Sequence, residues 1–582
     1  MQPKKIIIER DVPIRMRDNT VLRADIYRPE DDNCYPAILC RLPYNKEDPL
    51  MHLEGILPLR ALDAGFALVY QDTRGRYQSD GTFYPFIHEG QDGYDTVEWV
   101  ASQPWCSGAV GMTGASYFGA TQWLSAIQRP PHLKAICPVV TSSEYYQGWT
   151  YQGGAFQLGF ILIWTLTGLA PDTAKRLEQD ENAGSIEMTR LLEEGDRIWE
   201  HYRHIPLKNH PVLRHTNAAR YYDDWLAHYE NDEYWQALAI NRRYNRITVP
   251  AFNIGGWYDL FLNGTLENFT RMRKEGGSEQ GREGQQLLVG PWAHGNFSGS
   301  YPETNFGFRG SWDGAEVVDR QLDFFRCYLM DAGAESQDQT PVRLYVMGTN
   351  RWRDEHEWPL KRAQYVPWYL HSEGQAAGLG GTLSTTPPSI EEADVYLYDP
   401  RNPVPTRGGA TFLPGFRQSV CSGPLDQRPV ERRPDVLTYT SEILKEPLEV
   451  TGPLKVKLWA VTQGLDTDFV ARLCDVFPDG TARILADGIL RAAFRNGFEV
   501  YQPVKPGEDV EYTIDLVATS NVFLPGHRIR VDITSSCWPR FDANSNSGHR
   551  TGLAGRADLR SVLQTILHDT NHPSHILLPV IV

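Results

Sequence analysis

A serine set among glycines is the first group in this chain that could do covalent chemistry. Gly114-Ala115-Ser116-Tyr117-Phe118-Gly119 stands where the short apolar run from Ala109 to Met112 gives way to helical spacing. A tight turn between strand and helix exposes a Ser hydroxyl and aims the following N–H at a developing oxyanion. The strict G-x-S-x-G pattern is not met, because Phe118 takes the place of the second glycine and Gly119 comes one residue later. On spacing alone, a nucleophile elbow and a plain glycine-rich turn fit equally well. A Ser is a weak nucleophile until a base takes its proton, and that base must be oriented by a third group. The hydrolase order of Ser, acid, His is available downstream. Thr248 to Ile254 leads into Gly255-Gly256-Trp257-Tyr258-Asp259, and Gln286 to Val289 leads into Gly290-Pro291-Trp292-Ala293-His294. Both candidates fall just past the carboxyl ends of expected strands, where α/β sites gather. Any one of the 16 His is more often packed or solvated than catalytic, so it is the joint placement that singles out His294 with Asp259.

Other groups drop out. His356-Glu357-Trp358-Pro359-Leu360 has no second His at the spacing of a zinc helix and contains Pro. Asp466-Thr467-Asp468 lacks the rest of a calcium loop and reads as a structural hydrogen-bonding loop. Neither a P-loop nor a dinucleotide fingerprint occurs, so no cofactor and no metal are implied.

The elements that must position these residues follow from periodicity. Ala37 to Leu42 and Phe66 to Gln71 read as strands with a helical stretch, Ile56 to Ala64, between them. A helix from about Gln91 to Ala101 precedes the strand before Ser116. After it, Ala120, Trp123, Leu124 and Ile127 recur on one helical face. From about 146 to 242 the strand signal fades, and Met188, Leu191, Ile198 and Tyr202 recur at helical spacing among acidic residues. Alternation resumes through the helical stretch Val317 to Leu329 and the strand Val342 to Met347. Beyond about 355, period-two runs such as Leu454, Val456, Leu458 and Ile529, Val531, Ile533 predict an all-β region. The reading is an α/β domain over 1–145 and 243–354, a helical insertion over 146–242, and a β domain over 355–582.

At 582 residues the chain is long enough for several domains. Its 57 basic and 73 acidic side chains give a formal charge of −16, which disfavours nucleic acid. Eight Cys without CxxC spacing suggest scattered buried thiols. Met1 to Lys5 run into only three Ile before Glu9, too short for a signal peptide, and no run approaches the roughly eighteen apolar residues of a membrane span. A soluble, cytoplasmic protein is expected, with neither nucleic-acid nor membrane partners and with a homodimer as the candidate assembly.

Several motifs together resemble the cocaine esterase (CocE/NonD) family of hydrolases, relatives of X-Pro dipeptidyl peptidases and α-amino acid ester hydrolases. They are Pro43-Tyr44-Asn45-Lys46, Gln71-Asp72-Thr73-Arg74-Gly75, Trp105-Cys106 with Gly111-Met112, the Ser116 segment, Gly256-Trp257-Tyr258-Asp259 and Gly290-Pro291-Trp292-Ala293-His294. The likeness continues through Asp466-Thr467-Asp468-Phe469 and Asn521 to His527, and ends near His572-Pro573-Ser574-His575. The variant elbow is that family's own form. The resemblance implies an α/β-hydrolase domain with an inserted helical cap and a C-terminal jelly roll. It implies Ser116 as nucleophile, His294 as base and Asp259 as orienting acid. The Tyr44 hydroxyl and the Tyr117 backbone N–H would form the oxyanion hole, and Trp149, Trp164, Phe261, Phe412 and Leu413 would line the acyl pocket.

The substrate implied is a small-molecule ester with a bulky aromatic acyl group. Amidase or acylase activity and X-Pro dipeptide release by the same triad are the alternatives. The ester hydrolases that hold an ammonium group place carboxylates shortly after the catalytic Asp, whereas Asp259 is followed here by Leu260, Phe261, Leu262 and Asn263. X-Pro peptidases carry a long N-terminal extension, whereas hydrolase-like sequence begins here by about residue 10. A non-catalytic binding protein, suggested by the jelly roll alone, sits poorly with a complete triad.

Overall fold

The computed structural model describes residues 5–53, 55–330, 340–413 and 422–582. The reading of Met1 to Lys4 and the eighth cysteine, Cys421, lie outside the described residues. Ten strands make the sheet that holds Ser116, Asp259 and His294: β1 (Ile6–Arg15), β2 (Val21–Pro29), β3 (Tyr35–Leu42), β4 (Ala67–Asp72), β5 (Cys106–Ala115), β6 (Leu133–Val139), β7 (Phe252–Tyr258), β8 (Gln286–Ala293), β9 (Val342–Val346) and β10 (Arg351–Glu355). They lie in the order β1-β2-β4-β3-β5-β6-β7-β8-β9-β10. From β4 to β9 neighbours run parallel, and β1, β2 and β10 add antiparallel edges. The central strands are buried along nearly their whole length, as a sheet covered on both faces requires.

Four helices of this domain are α1 (Glu89–Ala101), α2 (Tyr117–Ile127), α3 (Leu262–Glu275) and α4 (Val317–Leu329). Periodicity predicts one buried face for α2, yet every residue from Tyr117 to Ile127 is buried. Its remaining face carries Thr121, Gln122 and Ser125, whose hydroxyls and amide N–H donate to backbone carbonyls of the helix and its surroundings.

Between β6 and β7 the chain is mainly helical from Leu158–Ile163 to Glu233–Gln236, but it opens with a hairpin, Tyr151–Gln152 against Ala155–Phe156, that periodicity does not reveal. Its turn, Gly153-Gly154, has φ of 56° and 80°, and a Cβ on Gly153 would lie 1.9 Å from the carbonyl oxygen of Ile489. From Ala363 to Ile581 an eleven-stranded, largely antiparallel sheet forms the C-terminal jelly roll. Cys40, Cys106, Cys137, Cys474 and Cys537 are buried thiols. No helix among the described residues is long and apolar enough to cross a membrane.

Two strands run further than predicted. β7 continues past Ile254 to Tyr258, and β8 past Val289 to Ala293. Glycines in these extensions allow close packing: a Cβ on Gly256 would lie 2.4 Å from the Trp292 carbonyl oxygen, and one on Gly290 would meet the Trp292 ring at 2.5 Å.

Candidate active site

Ser116 follows β5 directly and caps α2, with φ 57° and ψ −119°. A non-glycine residue there is strained, and the surroundings hold it: its N–H donates to the Val139 carbonyl at 2.9 Å, and its carbonyl accepts from Ala120 N–H at 3.1 Å. The variant spacing of the elbow has a steric cause. A Cβ on Gly114 would run into the Phe118 side chain at 2.5 Å, and one on Gly119 into Thr141 at 2.7 Å. Residue 118 can therefore be large, and its ring packs 5.7 Å from that of Tyr44.

Asp259 and His294 are the first residues after β7 and β8, neighbouring parallel strands, so the sheet delivers both to the same edge as Ser116. His294 Nε2 lies 3.1 Å from Ser116 Oγ, and His294 Nδ1 lies 2.7 Å from Asp259 Oδ2. An ionised carboxylate only accepts hydrogen bonds, so Nδ1 carries the proton and Nε2 presents its lone pair to the serine hydroxyl. Asp259 Oδ1 accepts from Phe261 N–H at 2.7 Å, which fixes the carboxylate. Asp259 and His294 are buried.

Tyr44 sits on the loop after β3, before Asn45 with φ 72°. Two anchors hold this loop. Lys46 N–H donates to Asp72 Oδ1 at 2.8 Å, and Lys46 Nζ is buried between Asp11, at 2.7 Å, and Asp25, at 3.0 Å. Burial pushes the Asp72 carboxyl up to about 7. Tyr44 Oη accepts a hydrogen bond from Trp164 Nε1 at 2.7 Å. Tyr117 begins α2, so its N–H is one of those with no partner inside the helix. Its hydroxyl donates to Glu89 Oε1 at 3.0 Å and accepts from Phe86 N–H at 2.9 Å.

Of the five residues expected at the acyl pocket, Phe261 and Phe412 stand beside His294, and none of the five lines the cleft that reaches Ser116. The Phe261 and Phe412 rings meet the imidazole edge-on at 5.0 and 5.2 Å. Trp149 stacks on Phe261 at 4.2 Å, Trp164 stands 5.6 Å from Trp149, and Leu413 packs over Gly159. Sequence reasoning missed Phe160, which stacks on Trp164 at 5.3 Å and meets Phe261 and Phe412 edge-on. Its signal was the i, i+4 spacing to Trp164 on one helical face. The cleft that reaches Ser116 is small, about 20 Å³, and lined by Tyr44, Met51, Ala115, Ser116, Phe118, His294 and Gly295. A larger cleft of about 750 Å³ between Tyr202, Arg203 and Trp538 includes none of the triad, so geometry and not volume locates the chemistry.

Among the described residues, the buried side chains of Glu431, Cys474 and Asp532 in the jelly roll have potential metal-ligating atoms within 4.8 Å of one another. Arg530 Nη1 donates to Glu431 Oε2 at 2.6 Å, so a guanidinium already supplies the positive charge there. The Asp466-Thr467-Asp468 loop is structural: Asp466 accepts from Ala493 N–H and Asn544, and Asp468 pairs with Arg491.

Residues 18–296 match the family described as X-Pro dipeptidyl-peptidase (S15 family), and residues 334–577 match its C-terminal non-catalytic domain. The chain is 37% identical to cocaine esterase of Rhodococcus sp. (strain MB1 Bresler), over 98% of both chains. It is 26% identical to a putative serine esterase of Mycobacterium tuberculosis, over 98% of this chain and 94% of the relative. Among solved structures it resembles an α-amino acid ester hydrolase, with a TM-score of 0.82 and 25% identity over 99% of this chain and 97% of the other. An aminopeptidase from a marine sediment Thaumarchaeota archaeon gives a TM-score of 0.81 and 26% identity over 100% and 98%.

Proposed function

The chain belongs to the cocaine esterase-like branch of the X-Pro dipeptidyl-peptidase (S15) family and is a serine esterase; on that premise we propose that Ser116, His294 and Asp259 carry the reaction through an acyl-enzyme. The observation that carries this reading is the unbroken hydrogen-bond chain from Ser116 Oγ through the His294 ring to Asp259. Ser116 Oγ attacks the ester carbonyl as its proton passes to His294 Nε2, and Asp259 stabilises the resulting imidazolium. The carbonyl oxygen, now an oxyanion, receives the Tyr44 hydroxyl and the Tyr117 N–H. Collapse returns the proton from Nε2 to the departing alkoxide and leaves the acyl group on Ser116. Water then repeats the sequence, giving up a proton to His294, releasing the carboxylic acid and restoring the serine hydroxyl.

The favoured acyl group is aromatic. The side chains around His294, on the side of Phe261 and Phe412, are apolar rings, and Leu260, Phe261 and Leu262 offer no carboxylate to an ammonium substrate. Burial of a phenyl group among them is worth on the order of 2 kcal/mol, about 30-fold in kcat/KM if realised in the transition state. Because these rings pack against one another, a benzoyl group enters only as Phe261 and Trp149 part, which consumes some of that gain. Rates with phenyl benzoate, phenyl acetate and benzanilide test the reading. The expected order is benzoate, acetate, anilide, since an amine must be protonated as it leaves. A faster acetate would make the rings packing alone, and a faster anilide would replace esterase by acylase.

A further inference from the structure

Trp164 holds a position that an acyl wall does not require. Its indole N–H points at a polar atom of the site, Tyr44 Oη, at 2.7 Å, while two aromatic rings stack nearly parallel to it. Phe160 stacks on it at 5.3 Å with 12° between planes, and Trp225 at 5.8 Å with 5°. The indole therefore has little freedom to tilt, and its N–H direction is set before any substrate binds.

The backbone that presents it is unusual. Trp164–Leu169 forms a π-helical turn between the helices Leu158–Ile163 and Ala170–Leu177. Such turns are rare, and those that persist often sit at functional sites. This one is tied directly to the Tyr44 loop. The buried Arg76 guanidinium donates from Nε to the Pro43 carbonyl at 2.8 Å, from Nη1 to the Leu169 carbonyl at 2.6 Å, and from Nη2 to the Gly168 carbonyl at 3.1 Å. Pro43 precedes Tyr44, and Gly168 and Leu169 close the turn that carries Trp164. One planar cation thus spans both partners of the Trp164–Tyr44 bond. Gly168 completes the fit, since a Cβ there would stand 3.1 Å from the Trp164 ring and 3.6 Å from the Tyr44 ring.

We propose that Trp164 is a positioning residue for the oxyanion site, its indole N–H occupying an acceptor side of Tyr44 Oη so that the Tyr44 O–H is aimed at Ser116 and polarised, with Arg76 and the π turn fixing the bond. The proposal rests on the assignment of Tyr44 as an oxyanion donor. A phenol oxygen carries one proton, so a donor placed on its lone pair limits the directions left to its own O–H. The accepted bond also draws electron density from the oxygen and strengthens the bond it donates, as in any hydrogen-bonded chain. Negative charge appears on the substrate oxygen only in the tetrahedral state, so the benefit falls on kcat and leaves KM alone. A wall residue would behave differently: its loss would depend on the acyl group and not on the N–H.

Two replacements separate these roles. Trp164→Phe keeps an aromatic ring without the N–H, and 3-benzothienylalanine at position 164 keeps the full indole outline with sulfur in place of N–H. Both are measured with phenyl acetate and phenyl benzoate, in the natural and the Tyr44→Phe backgrounds. Tyr44→Phe itself is expected to lower kcat about 100- to 1000-fold, the usual loss for one oxyanion donor. The benzothienyl protein is expected to lose about tenfold in kcat, equally on both esters and at unchanged KM, and to lose nothing more in the Tyr44→Phe background. Full kcat in the benzothienyl protein, an equal loss in both backgrounds, or a loss confined to the benzoate overturns the proposal while Tyr44 keeps its role. Normal kcat in Tyr44→Phe removes both assignments together.

Discussion

Ser116 is held at φ 57° in a region that side chains with a Cβ rarely adopt. The strain belongs to the backbone and not to the hydroxyl. Ser116→Ala should therefore abolish turnover without relieving it, whereas Ser116→Gly, equally inactive, should unfold at a higher temperature than Ser116→Ala. Calorimetry of the two variants decides this, and equal or reversed midpoints would mean that the elbow stores no strain. The three residues proposed to carry the reaction could be picked out in the sequence because each follows an apolar run within a few residues, although the strands themselves extend past those runs to Ala115, Tyr258 and Ala293. Trp164 was legible only as an aromatic near the acyl group. Its N–H bond to Tyr44 depends on a π turn, and no spacing rule signals an inserted residue in a buried helix.

At the scale of elements, Asp72 is one of the two anchors of the Tyr44 loop. Asp72, at the end of β4, accepts N–H bonds from Lys46 and Gln78, and burial holds its carboxyl at about 7 against an ordinary 3.8. Between those two values the folded protein keeps a proton that the unfolded chain has lost. The stabilising contribution is thus complete below about 3.8 and disappears as pH rises through about 7. Melting temperatures of the natural protein should fall more than those of Asp72→Asn as pH is raised across that window; parallel curves would place the Asp72 titration outside it. Strand ends were read less well than strand cores. Gly256 and Gly290 lie beyond the expected strand ends, yet they let β7 and β8 run on past the Trp292 backbone and ring. Only the partner atoms distinguish a glycine that turns from one that packs. The hairpin Tyr151–Phe156 escaped for a related reason, since Gly153 is required by the Ile489 carbonyl of the jelly roll, more than three hundred residues away.

In the whole molecule, three parts of the chain close on one site. The jelly roll contributes Phe412 beside His294, and it accepts the Phe156 N–H on Asp542 at 2.8 Å, donates Arg491 N–H to the Gly153 carbonyl at 2.7 Å, and sends Tyr501 N–H to Glu230 at 2.7 Å. A fragment ending near Met347 would expose the apolar residues of that seam, and it should be insoluble or inactive; a soluble fragment with full esterase activity would make the jelly roll dispensable. The α/β, helical and β regions could be seen in the sequence because their periodicities differ, whereas the contacts between them, apolar side chains such as Phe412 and Leu413 together with single polar and backbone bonds, leave no pattern in one chain. All of it serves the claim that Ser116 is the nucleophile, and covalent labelling tests that claim most directly. A fluorophosphonate ester should modify the folded protein once, at Ser116, with loss of esterase activity in step with labelling and no labelling of Ser116→Ala. Modification at another residue, or inactivation that leaves Ser116 untouched, would contradict the account.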